Sequence, residues 1–220
     1  MLFADRRDAA RKLAQFLGMN DRTDPPTLVL GLPSGGVVVA VELARLIFAE
    51  VDVYLARKVG VPGNPELAMA AVASDGTVVI NHAVVDHLGI GPERLARRVE
   101  EVKARLLEEM AFYHPHGQHL AVGGRRVVLV DDGAATGATA ASALTALRQH
   151  RPSRLILALP VAPRDTIERL RGLCDELFCV HVPEQFEAVG AFYEHWEQIT
   201  HAATASTLRA AHQPGPKGPG

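Results

Sequence analysis

Basic residues are not in excess in this chain: 23 lysines and arginines face 25 aspartates and glutamates, for a formal charge of −2 over 220 residues. Coating a long phosphate backbone needs a cationic surplus, so a nucleic-acid partner is not expected. Cysteine is nearly absent. Cys174 and Cys179 stand five apart without a C-x-x-C, nothing around them resembles a zinc knuckle or a disulfide framework, and they read as core thiols of a reducing compartment. No apolar run approaches the roughly 20 residues that cross a bilayer. The opening MLFADRRDAARKLAQFLG scatters charge where a secretory leader would be continuously apolar, so a cytoplasmic location without membrane contact is expected.

Several motifs are missing as well. There is no G-x-x-x-x-G-K-[ST], no G-x-G-x-x-G and no H-E-x-x-H, and the serine of Gly31-Leu32-Pro33-Ser34-Gly35 is not the central residue of a G-x-S-x-G elbow. Lysine is scarce, at Lys12, Lys58, Lys103 and Lys217, against 19 arginines. The planar guanidinium suits carboxylates or a small phosphorylated ligand; genomic base composition explains the bias equally well.

What is present is an alternation of short apolar runs with longer helical ones, the signature of βαβ units on a largely parallel sheet. Helices are expected at Ala4 to Gly18 (with Leu13, Phe16 and Leu17 on one face), Gly35 to Phe48, Pro92 to Met110, Thr136 to His150 and Asp165 to Leu173. Strands are expected at Thr27 to Leu32, Val51 to Ala56, Arg126 to Val130, Arg154 to Val161 and Glu176 to Val182. Gly60 to Glu66 (GVPGNPE) reads as a mobile loop. Ser74-Asp75-Gly76 between Ala70 to Ala73 and Thr77 to Ile80 reads as the turn of a hairpin beside the core. The fold class is therefore α/β, a parallel sheet flanked by helices. One domain over residues 1–212 is expected, with a core at about 27–182 and a small hood from the hairpin (70–81) and the C-terminal region (183–212). Residues 213–220, QPGPKGPG, read as a disordered tail.

The most informative stretch is Val127 to Thr139, VVLVDDGAATGAT, where an apolar strand delivers two carboxylates into a loop of small residues that enters a helix. Small side chains let backbone N–H groups approach an anion, the helix N-terminus adds partial positive charge and threonines add donors, which makes a phosphate cradle. Asp131 and Asp132, just upstream, can accept hydrogen bonds from sugar hydroxyls or hold Mg²⁺.

These thirteen residues resemble the signature of the type I phosphoribosyltransferases. The resemblance implies that fold, the substrate 5-phosphoribosyl-1-pyrophosphate (PRPP), and transfer of the 5-phosphoribosyl group to a nitrogenous acceptor, a nucleobase or analogue. Pyrophosphate would be released with the help of Mg²⁺. Asp131 and Asp132 would bind the ribose hydroxyls and the metal, and Gly133-Ala134-Ala135-Thr136-Gly137-Ala138-Thr139 would cradle the 5′-phosphate. Pro33-Ser34-Gly35-Gly36 looks like the family's pyrophosphate loop, to which Arg57 and Lys58 would add cations. With GLPSGG, ARKVGVPGNPELAMAAV and FEAVGAFY, the resemblance extends over about residues 3–210 to an uncharacterised bacterial branch of the family. Members of that branch usually carry arginine where this chain has Ser34, which leaves Arg57 and Lys58 with more of the pyrophosphate charge. Hypoxanthine-guanine phosphoribosyltransferases have an aspartate, proposed as general base, where this chain has Ala135, as adenine phosphoribosyltransferases do. A base at that place is ruled out, and Glu66 on the candidate lid Gly60 to Met69 becomes the substitute. Phe186, in a segment similar to the one whose phenylalanine stacks on the purine, reads as a base-stacking ring or, equally, as a core residue beside Phe192 and Trp196. A homodimer is expected from the family.

Other signals point elsewhere. His114, His116 and His119 have a spacing that could ligate a metal, but Pro115 and Gly117 mark a surface loop. Arg94 to Glu109 carries both charge signs at helical spacing and reads as a solvated face. Two rival functions share the phosphate cradle: a regulatory module that senses PRPP, and a hydrolase acting on a phosphosugar.

Overall fold

Short runs, continuously apolar in the three central strands, build the centre of the molecule. In the computed structural model, which describes residues 2–18, 27–114 and 120–212, five such runs pair in parallel. They are Leu28–Gly31 (β1), Glu50–Val53 (β2), Arg126–Val130 (β6), Arg154–Val161 (β7) and Glu176–His181 (β8), in the order β2-β1-β6-β7-β8. A parallel strand covered on both faces can be apolar at every position, and Val127, Val128, Leu129 and Val130 are all fully buried. Successive side chains point to opposite faces. Val29, Val128, Val130 and Ile156 therefore pack towards the helices Arg6–Leu17 (α1), Gly35–Ile47 (α2), Pro92–Tyr113 (α4) and His201–His212 (α7). Leu28, Leu30, Leu129 and Leu157 meet Ala138–Gln149 (α5) and Arg164–Arg171 (α6) on the other side.

A second, antiparallel sheet stands beside the first, made of Ala56–Val61 (β3), Asn64–Ala73 (β4) and Val78–Ile80 (β5) and followed by the short helix His82–His87 (α3). Here the structure corrects the sequence reading. The run Val51 to Ala56 is broken at Tyr54-Leu55, so its last residue starts the second sheet, and Gly60 to Glu66 is a bulged hairpin rather than a loop. The glycines and prolines that read as loop serve that geometry. A Cβ on Gly60 would lie 2.7 Å from the Pro65 carbonyl oxygen, and Gly63 takes φ +86° at the turn; such bulges admit an extra residue where no side chain blocks the partner strand. The Ser74-Asp75-Gly76 turn forms as expected, as the second corner of a three-stranded sheet.

Helix boundaries differ by a few residues, and α3 and α7 add two helices to the five expected. In α1 the buried face is Arg6, Ala9, Ala10, Leu13 and Leu17, while Phe16 is 55% exposed and meets Phe178 edge-on. Cys174 and Cys179 are free and half-buried, and burial pushes the Cys179 thiol up to about 11. No helix among the described residues is long and apolar enough to cross a membrane. Residues 116, 119 and 213–220, on which the histidine-triplet and tail readings rest, lie outside the described residues.

One part-buried polar knot ties Tyr54, at the end of the first sheet, to the Asp75 turn of the second. Asp75 accepts hydrogen bonds from the Tyr54 hydroxyl (2.8 Å) and the Thr77 amide (2.9 Å), and its carboxylate lies 2.9 Å from His150 Nε2. Burial opposes ionisation of Asp75, but the Thr77, Tyr54 and His150 contacts together outweigh it and hold the carboxyl below its usual range. A depressed folded-state value means that this stabilisation is present above the unfolded value, about pH 4, and is lost as the pH falls below it. Asp75→Asn is expected to cost about 1–3 kcal/mol at neutral pH in urea denaturation, and to remove part of the stability loss seen on acidification of the wild type.

Candidate active site

The carboxyl end of β6 carries Asp131 and Asp132, and both glycines at the start of α2 come up against them. A Cβ on Gly35 would sit 1.7 Å from Asp132 Oδ2, and one on Gly36 would sit 2.8 Å from the Asp131 Cα. Only hydrogen at these positions lets the α2 N-terminus, with its free N–H groups, reach the acid pair. The preceding peptide, Pro33–Ser34, is cis. Asp131 is pushed well above the ordinary carboxylate range, first by desolvation and then by the neighbouring charge of Asp132.

Downstream, Gly133 to Thr139 wraps into α5. Gly133 (φ +156°) lies under Val189 and Val161, and Gly137 (φ +66°) caps the helix against Thr166 and Leu170. Helix α6 braces the loop from behind: the Thr166 hydroxyl donates to the Ala135 carbonyl at 2.6 Å, and Arg169 donates to the Thr136 carbonyl and the Thr166 hydroxyl. The braced loop leaves Ala135, Thr136 and Thr139 exposed at the α5 N-terminus. Sequence reasoning missed Thr166 and Arg169, since neither belongs to a motif and their role exists only once α6 packs on the loop.

The C-terminal segment folds over the acid pair. Tyr193 donates its hydroxyl to the Asp132 carbonyl, and the 3₁₀ turn Val189–Phe192 sets Val189 on Gly133. Arg6, at the start of α1, donates from Nε to Asp132 Oδ2 at 2.8 Å, with side-chain exposures of 9% and 14% for the two partners. No local pattern in the sequence marks Arg6. Phe186 is half-buried and stacks on Phe192 (5.6 Å between ring centroids), which places it against the apolar cluster of Phe3, Ala9, Val161 and Tyr193. Trp196 does not join Phe186; it packs on Tyr193 and Arg6.

The two candidate cations separate. Arg57 and Lys58 are neighbours on β3 and so project to opposite sides of the strand. Arg57 lines a cavity of about 150 Å³ with Pro33, Leu55, Ala56, Leu106, Glu109 and Thr139, and pairs with Glu109. This brings the first loop, the end of the second loop and one guanidinium together. Lys58 pairs instead with Glu66 across the hairpin at 2.8 Å, the Glu66 side chain being 81% exposed. No contact between described residues joins Lys58 or Glu66 to the acid pair. The Ser34 side chain hydrogen-bonds Tyr113, whose own hydroxyl lies 2.7 Å from His201 Nδ1. Burial pushes the Tyr113 phenol up to about 12, Glu109 adding to the shift and Ser34 opposing it. His114, the described member of the histidine triplet, pairs with the buried Asp52, and no described group of three or more His, Cys, Asp or Glu side chains could hold a metal.

An acid pair at a strand's carboxyl end, set between a glycine-opened helix and a small-residue loop feeding a second helix, puts carboxylate acceptors beside two helix N-termini, whose partial positive charge suits an anion. The comparisons with known proteins make the class specific. The phosphoribosyl transferase domain family model matches residues 4–194, and the chain belongs to that family. Two Mycobacterium tuberculosis proteins (strains CDC 1551 and H37Rv), provisionally named as phosphoribosyl transferases, are 39% identical over 215 residues, 96% of this chain and 47% of theirs. The chain thus spans about half the length of the curated relatives it matches. A crystal structure of a Thermus thermophilus protein shares 39% identity and a TM-score of 0.84, over 94% of this chain and 98% of that one.

Proposed function

We propose that this chain transfers the 5-phosphoribosyl group of PRPP to a nitrogenous acceptor, a nucleobase or analogue, with release of pyrophosphate. The observation that carries this reading is the convergence of Asp131 and Asp132 with two helix N-termini, one opened by Gly35-Gly36 and the other by the Gly133 to Thr139 loop. The ribose hydroxyls would be held by the acid pair and the 5′-phosphate by the loop. The pyrophosphate would lie along Pro33-Ser34-Gly35-Gly36 towards Arg57, which would exchange Glu109 for the ligand. In the reaction the anomeric carbon loses its bond to pyrophosphate, which departs with the electron pair, and gains one to the acceptor nitrogen. The nitrogen's proton passes to water or to Glu66 on the hairpin. The β3–β4 hairpin would close over the site and exclude water that hydrolyses the activated sugar.

The donor set suits Mg²⁺, which is commonly held by one or two carboxylates together with substrate phosphates. Asp131 and Asp132 would hold it, and its charge would offset that of the pyrophosphate as it leaves.

Calorimetric titration with PRPP and Mg²⁺ tests the reading, with saturable binding expected and no heat of binding as the contrary result. Thr166→Val leaves the Ala135 carbonyl without its donor. It is expected to lower thermal stability by about 1 kcal/mol and to weaken ribose 5-phosphate binding by roughly fivefold, measured by the same titration.

A further inference from the structure

We propose that Arg6 is a positioning residue that sets the Asp132 carboxylate for the ribose, held in a clamp built from the two ends of the chain. The inference rests on the phosphoribosyl-transfer reading and adds to it a residue from outside the loops. Three contacts hold the Arg6 guanidinium. Nε donates to Asp132 Oδ2 at 2.8 Å, NH1 donates to the Glu197 carbonyl at 3.0 Å, and the guanidinium carbon lies 3.8 Å from the centroid of the Trp196 ring. The stack on Trp196 holds the guanidinium plane, and the plane fixes the direction from which Asp132 is met. Asp132 is secured a second time through its backbone, whose carbonyl accepts the Tyr193 hydroxyl.

The need for such a clamp follows from charge. Two adjacent carboxylates that must receive a substrate carrying several phosphate charges repel it unless a cation is fixed beside them. Arg6 is such a cation, in direct contact with Asp132: their ion pair is 9% and 14% exposed, where screening by water is weak. It faces the acid pair from α1, and Gly35 of α2 leaves room for both, since a Cβ there would lie 2.7 Å from Arg6 Nε. Arg57, by contrast, lines the cavity with Pro33 and Thr139. The two cations therefore divide the ligand, Arg6 acting through Asp132 on the sugar and Arg57 on the pyrophosphate. Trp196 and Glu197 lie beyond the residues matched by the family model, 4–194, so two of the three contacts on Arg6 come from outside that match.

The division gives the test. Wild type, Arg6→Gln and Arg6→Lys are titrated calorimetrically with ribose 5-phosphate and separately with inorganic pyrophosphate, each with Mg²⁺. Arg6→Gln is expected to weaken ribose 5-phosphate binding by about 10- to 100-fold and to change pyrophosphate binding less than about twofold, with Arg6→Lys between it and wild type. Equal weakening for both ligands, or none for ribose 5-phosphate in a folded variant, overturns the role of Arg6. If Arg6→Gln fails to fold, Arg6→Lys and Trp196→Phe, which loosen the clamp without removing its charge, must show the same ligand selectivity. Failure of the wild type to bind ribose 5-phosphate or PRPP at all overturns the phosphoribosyl-transfer reading itself, a separate outcome.

Discussion

Asp132→Asn is expected to lower kcat/KM for PRPP by about 10²- to 10³-fold, because two charge-assisted hydrogen bonds are lost at once, each contributing about 1.5–3 kcal/mol. One is the bond proposed to a ribose hydroxyl and the other is the bond from Arg6 Nε, seen at 2.8 Å. An amide can still accept from one side, so the fold survives, but it offers no charge. The variant also strands a guanidinium that is 9% exposed. Removing one partner of a fully buried pair costs about 3–5 kcal/mol; the partial exposure of Asp132 brings the expected loss down to about 1–3 kcal/mol. Activity and urea denaturation measured on the same preparation separate the two effects. A fall in stability with unchanged PRPP kinetics would show that Asp132 serves the fold alone.

Gly35→Ala is the second large effect and adds only one methyl group. That methyl would sit 1.7 Å from Asp132 Oδ2, 2.5 Å from its Cγ and 2.7 Å from Arg6 Nε. No rotamer change of the alanine relieves this, since a Cβ position is fixed by the backbone. Either α2 retreats or the Asp132–Arg6 pair is pushed aside, in both cases by about 1 Å, and a misplacement of that size in a reacting site costs on the order of 10²-fold in rate. The strain is expected to cost about 1–3 kcal/mol of stability. Gly91→Ala is the control: φ is −63° there and a Cβ would meet nothing within 4 Å, so PRPP affinity and melting temperature should stay at wild-type values. If Gly35→Ala behaves like Gly91→Ala, the close approach of α2 to the acid pair has no functional weight.

The core was legible because its physics is local. Val127 to Val130 is apolar at each position since both faces of β6 are covered, and the acid pair, small loop and helix follow in one unbroken stretch of chain. Leu95, Val99, Leu106 and Met110 recur at helical spacing and are buried on α4 as that spacing requires. The second sheet was half legible. The Asp75-Gly76 turn was visible, but the proline- and glycine-rich stretch 60–66 hid a bulged hairpin, because the residues that interrupt a regular strand are those that permit a bulge. The same misreading put Arg57 and Lys58 at the end of a parallel strand, where both could face one ligand; on β3 the pleat sends them apart. Arg6, Trp196, Thr166, Arg169 and Glu109 were not legible at all. Each acts through a contact with a residue distant in the chain, and Arg6 to Asp132 spans 126 positions, so no window of sequence contains the relationship.

The most direct test is a pyrophosphate-release assay on the purified protein, with PRPP, Mg²⁺ and, in turn, each member of a panel of purines, pyrimidines and orotate. The proposed phosphoribosyl transfer predicts pyrophosphate formed in equal amount with a ribonucleotide, dependent on one class of acceptor and lost in Asp132→Asn. Release of free ribose 5-phosphate without any acceptor would point to a phosphosugar hydrolase. Tight PRPP binding with no turnover on any acceptor would point to a sensor, and either result would contradict the transfer reaction proposed for this site.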